Sequence, residues 1–196
     1  MPTTTNLHEL RRRSTREALR RSALDSFARK GFTNVTVTEL AEDAGVTQRT
    51  FFRHFPTKEA VLFQDYETHL DWLAEALSLR PAEESLFDAV LASVASFPHD
   101  VEIVRQAALM RATLISGERI AGHLRVVQAS FAKVLTGFVQ KRYDVSDLVA
   151  EVAGATLAAA LVVAVENWGR SGCTGDLGQL VADSLALVRS GLSPVS

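Results

Sequence analysis

The chain has 196 residues, of which 47% are hydrophobic, and a formal net charge of −2 at pH 7. This apolar content is sufficient for a folded core and excludes a disordered chain. Because there is a single cysteine, Cys173, an intramolecular disulfide framework is also excluded.

Charge is distributed unevenly along the sequence. Residues 1–60 contain 11 Lys and Arg against 7 Asp and Glu, whereas residues 61–196 contain 10 against 16. The positive segment is therefore the candidate for contacts with phosphate groups. The first residues lack the apolar stretch of a secretory signal, which favours a cytoplasmic protein. The longest nearly apolar run, residues 153–165, is shorter than the roughly 20 residues of a membrane span, so we expect a buried helix there.

Apolar residues recur three and four positions apart through most of the chain, which predicts an all-α fold. After a basic tail, the first helix is predicted from about Ser14 to Lys30, where Gly31 ends it. The next helix begins at Thr36, because Thr36 and Glu39 form the pattern of a capping box.

A second short helix follows directly. Gly45 permits a sharp turn, Thr47 is placed to cap a helix that reaches about His54, and Pro56 ends that helix. Two capped helices around a glycine turn, residues 36–55, match a helix-turn-helix, whose second helix enters the major groove of DNA. A helical hairpin that does not bind DNA is the alternative.

The remainder of the chain is also predicted to be helical. A fourth helix ends before Pro81, and further helices are expected near residues 84–97, 99–115, 118–143, 146–169 and 176–190. We therefore predict an N-terminal three-helix DNA-binding domain, residues 1–60, and a larger helical effector-binding and dimerisation domain, residues 61–196.

Residues 36–61 read T-V-T-E-L-A-E-D-A-G-V-T-Q-R-T-F-F-R-H-F-P-T-K-E-A-V. The threonine cap, the A-G-V turn, the T-F-aromatic-x-H-F core and the following K-E have the order and spacing of the TetR family, which the chain resembles over about residues 14–62. The resemblance implies a transcriptional regulator, most often a repressor, that binds a palindromic DNA operator as a homodimer. At the position of Phe52 the family more often has tyrosine, so a hydroxyl contact to phosphate is missing.

Candidate DNA contacts follow from residue chemistry and from the resemblance. The side chains near the start of the recognition helix that can reach base edges are Gln48, Arg49 and Arg53. Of these, Arg49 is the candidate for contact with guanine. Short polar or cationic residues at helix termini suit phosphate contacts. The candidates of this kind are Thr36, Thr47, Thr50, His54 and Lys58. The ring of Phe52 can pack on a sugar or a thymine methyl group. His54 can instead be a simple helix-end residue, and Arg11 to Arg13 can be a solvated tail or an arm along the DNA backbone.

The helix near residues 146–169 is apolar around most of its circumference and rich in small residues. With the last helix it is predicted to form a four-helix interface with a second copy, as the TetR resemblance also implies. The candidate interface residues are Ala155, Ala159, Leu177, Val181, Leu185 and Val188. The alternative is that both helices belong only to the core of one chain.

The TetR resemblance implies that the helices between these two regions enclose a pocket for a small apolar effector. By themselves their apolar stripes are typical of an ordinary core, and only the many alanines and few aromatic residues indicate a cavity. The candidate lining is Leu70, Leu73, Phe87, Ile103, Met110, Arg111, Leu114, Leu124 and Phe131. The letters V-R-Q-A-A-L-M-R-A-T-L-I, residues 104–115, and the later N-W-G-R-S-G resemble the mycofactocin-type regulators. That resemblance favours an effector such as an acyl thioester, with an anionic part for which the candidate partners are Arg105, Arg111 and Arg125.

The sequence shows no catalytic constellation, glycine-rich phosphate loop or metal-ligand spacing, so we expect neither an enzyme nor a bound cofactor or metal. Cys173 has no resolving partner and is interpreted as incidental, with an oxidant-sensing thiol as the alternative. The competing hypothesis for the whole chain is a ligand-binding or protein-docking helical dimer without DNA-binding activity.

Overall fold

A computed structural model describes residues 4–97, 101–114 and 117–191. The described residues form α helices and two short 3₁₀ helices, at Phe32–Asn34 and Glu59–Phe63, and contain no strand. The all-α prediction is thereby confirmed. The α helices in chain order are α1 Thr4–Lys30, α2 Val37–Asp43, α3 Gln48–His54, α4 Gln64–Ser78, α5 Leu86–Ala95, α6 Val101–Leu114, α7 Gly117–Arg142, α8 Asp147–Arg170 and α9 Leu177–Arg189.

The chain divides into two compact units, the first ending at Gln64 and the second beginning at Asp65. The boundary expected from sequence, between residues 60 and 61, falls inside the second 3₁₀ helix. That helix packs on α1 and belongs to the first unit. Three of its side chains are buried, Val61, Leu62 and Phe63, and the first two are fully enclosed.

Helix α1 begins at Thr4, about ten residues before the predicted start. The arginines at positions 11–13 therefore lie on a helix, and the expectation of a basic tail is wrong. The early residues lack apolar periodicity, which is why the pattern missed them. Leu and Arg nevertheless have high helix propensity, and they extend the amphipathic part of α1 without a break.

The first unit is closed by aromatic packing and by local caps. Phe27 and Phe32 approach to 4.9 Å between ring centroids, and Phe51 and Phe55 to 5.6 Å. Gly31 ends α1 with φ of 81°, a backbone conformation that L side chains rarely adopt.

The capping box at the start of α2 is present as predicted. Thr36 Oγ1 accepts a hydrogen bond from the backbone N–H of Glu39, and the Thr36 N–H donates to Glu39 Oε2 at 2.8 Å. This backbone hydrogen bond is the main reason that the pKa of Glu39 lies below its usual value. The start of α2 is therefore fixed by residues three positions apart.

In the second unit α8 packs along α7, α9 and α6, and α5 packs on α9. Two glycines allow the close approaches. A Cβ at Gly154 would lie 2.8 Å from the carbonyl oxygen of Ala132 on α7, and one at Gly169 would lie 2.8 Å from that of Ala108 on α6. Gly154 therefore serves packing within the chain.

Helix α8 has a mean hydropathy of 2.2 over 18 residues, and by length and composition alone it could cross a membrane. Eleven of its residues, among them Leu157, Leu161 and Trp168, are buried within the protein. The observed packing favours the expected role of a core helix.

Candidate functional site

Helix α3 has two chemically different sides. Phe51 on the helix and Phe55 directly after it are completely buried. Arg49, Phe52 and Arg53 are exposed, and half of the Phe52 surface is accessible to solvent. Anchoring one side of a short helix in the core leaves the other free to enter a groove.

Polar side chains at the start of α3 are held by their neighbours. Thr47 Oγ1 accepts from the Thr50 N–H at 3.2 Å and lies 3.1 Å from the Thr50 hydroxyl. Gln48 Nε2 donates to the hydroxyl of Thr38 on α2. Gln48 and Thr47 remain exposed, so the caps leave both side chains accessible.

Lys58 has a different position from that expected of a phosphate ligand. Its ammonium donates to the carbonyl oxygens of Phe32 at 2.7 Å and Val35 at 2.9 Å, and it lies 4.2 Å from the centre of the Phe32 ring. The ammonium is thus held by two carbonyl groups of the first unit, and its contact with phosphate stays a prediction. The side chain ties the segment after α3 to the 3₁₀ helix after α1.

His54 is buried, with 7% of its surface exposed. Burial lowers the pKa of its imidazole, and the nearby positive charges of Arg53, Arg16 and Arg12 lower it further. The guanidinium of Arg16 lies 5.2 Å from the centre of the Phe55 ring. This environment favours a neutral imidazole inside the unit, and the predicted phosphate role has no exposed side chain to support it.

The second unit contains a buried polar cluster, which we define as Tyr66, Arg111 and Glu166. Arg111 is completely buried, and its Nε donates to Glu166 Oε1 at 2.9 Å. The Tyr66 hydroxyl donates to the same oxygen at 2.7 Å, and the Arg111 guanidinium lies 4.8 Å from the centre of the Tyr66 ring. The cluster joins α4, α6 and α8 inside one unit.

Arg111 was expected as a partner for an effector anion, and its guanidinium is instead buried and hydrogen-bonded to Glu166. Arg105 pairs with Glu102 at 3.6 Å, and Arg125 donates to the Ala121 carbonyl at 3.3 Å. Both are solvent-accessible. The three arginines therefore do not converge on one predicted binding site.

The predicted cavity residues occupy different environments in the second unit. Leu73 and Phe131 are buried, and Phe131 packs edge-on against Tyr66 with 6.0 Å between ring centroids. The half-buried members are Leu70, Phe87, Met110 and Leu124. The side chains of Ile103 and Leu114 lie outside the described residues.

Two of the predicted interface residues lie in the core of the second unit. Val181 and Leu185 on α9 are 4% and 3% exposed, because this side of α9 packs inside the unit. Ala155 is exposed, whereas Ala159, Leu177 and Val188 are half-buried. The exposed residues of α8 and α9 therefore coincide only in part with the interface residues predicted from sequence.

The only cysteine in the sequence lies in the loop between α8 and α9. Its Sγ is 3.7 Å from the carbonyl oxygen of Arg105, and the side chain packs against the buried Val104, Ala108 and Trp168. Burial raises the pKa of the Cys173 thiol, which makes the reactive thiolate scarcer. Among the residues that the structure describes, no group of three His, Cys, Asp or Glu could hold a metal ion.

Sequence reasoning missed two residues that organise these sites. Thr38 fixes the Gln48 amide, and the two residues are ten positions apart, so no helical period links them. Glu166 had a detectable signal, since it is a lone carboxylate that follows a long apolar run in α8. Such a residue is buried only with a partner.

The anchored and capped helix α3, with Arg49 and Arg53 on its exposed side, defines a DNA-binding protein of the helix-turn-helix class. Residues 19–64 match the model of the family described as bacterial regulatory proteins, tetR family. The first unit therefore contains the DNA-binding domain of the TetR family of transcriptional regulators. The curated relatives are named as regulators, in agreement with the prediction that the protein is not an enzyme.

The chain is 29% identical over 164 residues to a Mycobacterium tuberculosis protein named mycofactocin biosynthesis transcriptional regulator MftR, and the match covers 82% of each chain. It is 37% identical over 89 residues to the HTH-type transcriptional regulator TcmR of Streptomyces glaucescens, covering 45% of this chain and 39% of TcmR. The solved structure of the Bacillus subtilis transcriptional regulator FadR, in complex with stearoyl-CoA, superposes with a TM-score of 0.57 at 18% identity. That match covers 90% of this chain and 99% of FadR, and it shows a shared fold.

Proposed function

We propose that the protein is a ligand-responsive repressor that binds a palindromic operator as a homodimer through α3 of each copy. The observation that carries the DNA-binding part is the arrangement of α3, with Phe51 and Phe55 in the core and Arg49, Phe52 and Arg53 exposed. Arginine at the start of a recognition helix suits bidentate contact with guanine. Because the proposed partner is operator DNA, we expect the protein to act in the cytoplasm.

The homodimer is supported by an apolar stripe on the solvent-facing side of α8. Leu148, Val152 and Val163 are 71%, 56% and 56% exposed, and Ala155 and Ala159 lie between them at helical spacing. Apolar stripes of this length on a soluble surface are characteristic of interaction sites. A second copy presents the same stripe, so an isologous four-helix contact covers both, and its two-fold symmetry matches a palindromic operator.

The effector part rests on the relatives. FadR of Bacillus subtilis has the same fold and was solved with stearoyl-CoA, and MftR aligns over most of both chains. We infer that an apolar effector of the acyl type binds the second unit and weakens operator binding. A coupling free energy of about 1–3 kcal/mol is sufficient for such a response.

The DNA-binding part is tested by selecting genomic fragments on the purified protein and measuring their affinity by fluorescence anisotropy. Arg49→Ala should weaken binding to a selected fragment by about 1–3 kcal/mol and leave random DNA almost unaffected, because one base contact is lost. Arg29→Ala on α1 is the control, since it removes the same charge from an exposed position away from α3. An equal loss on selected and random DNA would refute base recognition by Arg49.

The dimer is tested with Val152→Glu, which puts a carboxylate in the centre of the stripe, where its desolvation opposes association. Val126→Glu on α7 is the matched control, because Val126 is 68% exposed and lies outside the stripe. In sedimentation velocity the first variant should be monomeric and the second dimeric. If the Val152→Glu variant dimerises like the unmodified protein, the α8 stripe is not the interface.

A further inference from the structure

The second unit contains an open cleft of about 700 Å³ between the C-terminal half of α4 and the C-terminal half of α7. The apolar residues in its lining include Ala74 and Leu77 on α4 and Val134 and Phe138 on α7. Small-molecule sites in proteins commonly have volumes of about 300–1,000 Å³ and mainly apolar walls. None of the residues expected to line an effector cavity is among the residues that line this cleft.

The rim of the cleft is cationic. Lys133 and Lys141 on α7 are exposed and eight residues apart, which places them on the same side of the helix. Within the described part of the chain neither ammonium has a carboxylate partner. Two more cations, Arg80 and Arg142, also line the cleft.

These two arginines stabilise the wall of the cleft. Arg142 donates to the carbonyl oxygens of Arg80 at 3.2 Å and Glu84 at 2.9 Å, and to that of Pro81. Arg80 pairs with the Glu84 carboxylate through two nitrogens. The turn between α4 and α5 is thereby fastened to α7, and the two lysines remain as the cations available to a ligand.

We propose that this cleft binds an amphipathic anion, with an apolar body along Leu77, Val134 and Phe138 and an acidic head group at Lys133 and Lys141. Ammonium groups act as point charges toward carboxylate or phosphate oxygens, so either head group fits the rim. This proposal deepens the effector part of the proposed function and rests on it only for the regulatory consequence.

Gly137 provides the sharpest test, because it lies on the cleft wall between the two lysines. A Cβ at this position would meet no atom within 4 Å, so the backbone at Gly137 accepts a side chain that extends into the cleft. Gly122, on the same helix and outside the cleft lining, has the same open surroundings. Replacing either glycine by leucine also raises helix propensity by a similar amount.

The experiment is calorimetric titration of the full chain with dodecanoate and with dodecyl phosphate, both below their micelle concentrations, and with dodecanol as an uncharged probe. We expect at least one anion to bind and dodecanol to bind at least tenfold more weakly. Gly137→Leu should weaken anion binding at least tenfold, and Gly122→Leu should leave it unchanged. Lys133→Gln and Lys141→Gln should each weaken it several-fold and reduce its dependence on salt.

Comparison of the two anions identifies the preferred head group. If neither anion binds the unmodified protein, or if Gly137→Leu and Gly122→Leu bind equally, the proposal is overturned. Operator binding by the same preparations separates the two proposals. A protein that binds its selected DNA fragment but no anion rejects the cleft site alone, and one that binds the anion but no DNA rejects the repressor alone.

Discussion

The polar contacts that begin the DNA-binding helices differ in range and burial from the polar cluster inside the second unit. In the first unit the hydrogen bonds that cap α2 and α3 are local and exposed, since Thr36 bonds Glu39 and Thr47 bonds Thr50, each three residues away. In the second unit Arg111 and Glu166 are 55 residues apart and buried. Helix starts in the first unit are thus specified by neighbouring residues, whereas the second unit contains a polar arrangement that exists only after three helices have packed.

The largest expected effect comes from the buried cluster. Arg111→Met leaves the Glu166 carboxylate buried without its cation, which should lower the free energy of unfolding by about 3–5 kcal/mol. Both tryptophans, Trp72 and Trp168, lie in the second unit, so tryptophan fluorescence during urea unfolding reports this loss directly.

A combined variant distinguishes loss of the pair from loss of packing. Changing Arg111→Met, Glu166→Leu and Tyr66→Phe together removes all three polar groups and should restore most of the stability. If Arg111→Met alone lowers the free energy of unfolding by less than about 1 kcal/mol, the pair of Arg111 and Glu166 does not stabilise the packing of the second unit as we infer.

Lys58 sharpens the comparison, because it is a long-range polar contact within the first unit. Lys58→Met removes charged hydrogen bonds to the carbonyls of Phe32 and Val35 and should lower the unfolding free energy by about 1.5–3 kcal/mol. Both tyrosines and both tryptophans belong to the second unit, so far-ultraviolet circular dichroism is the suitable measurement. Lys30→Met is the control, since its exposed pair with Glu39 should contribute under about 1 kcal/mol. If Lys58→Met leaves the stability unchanged and weakens binding to all DNA, Lys58 contacts phosphate as predicted from sequence.

The local cap of α3 should have a smaller effect. Thr47→Ala removes the acceptor for the Thr50 N–H and should cost about 1 kcal/mol. Thr47→Ser keeps the hydroxyl and should recover most of this loss in the same circular dichroism assay. If serine and alanine behave alike, the threonine hydroxyl does not stabilise the start of the helix.

The smallest expected effect is the pH response of His54. Its folded-state pKa lies below the unfolded value, so the stability due to the neutral imidazole is complete above about pH 6.5 and is lost as pH falls through the lowered pKa. His54→Gln should therefore reduce the difference in unfolding free energy between pH 7.5 and pH 5. An identical pH dependence in variant and unmodified protein would show that this imidazole stays solvated and ordinary.

The parts of the fold that sequence predicted are those with local causes. The capping box of Thr36 with Glu39 and the cap at Thr47 each act within one helical turn, so the letters alone reveal them. The exposed side of α3 follows from the same period. These short-range rules identified the two DNA-binding helices and their orientation in the unit.

The positions that differ from expectation do so because of contacts between distant residues. Lys58 was predicted from sequence to be an exposed cation at a helix end. In the folded chain its ammonium contacts two carbonyl groups from the segment after α1. Arg111 looked like an anion ligand because Glu166 is remote in sequence. Val181 and Leu185 looked available to a second copy, since apolar periodicity identifies a buried side of a helix without saying which neighbour buries it.

Alkylation of Cys173 can report local opening of the second unit. A half-buried thiol with a raised pKa is a poor nucleophile in the folded protein and an ordinary one once its loop detaches from Val104, Ala108 and Trp168. With a single cysteine in the sequence, the alkylation rate of the native protein measures how often this corner of the second unit opens, with no contribution from the first. A ligand that holds the second unit closed will slow the alkylation of Cys173. The occupancy of an effector can therefore be determined from the alkylation rate.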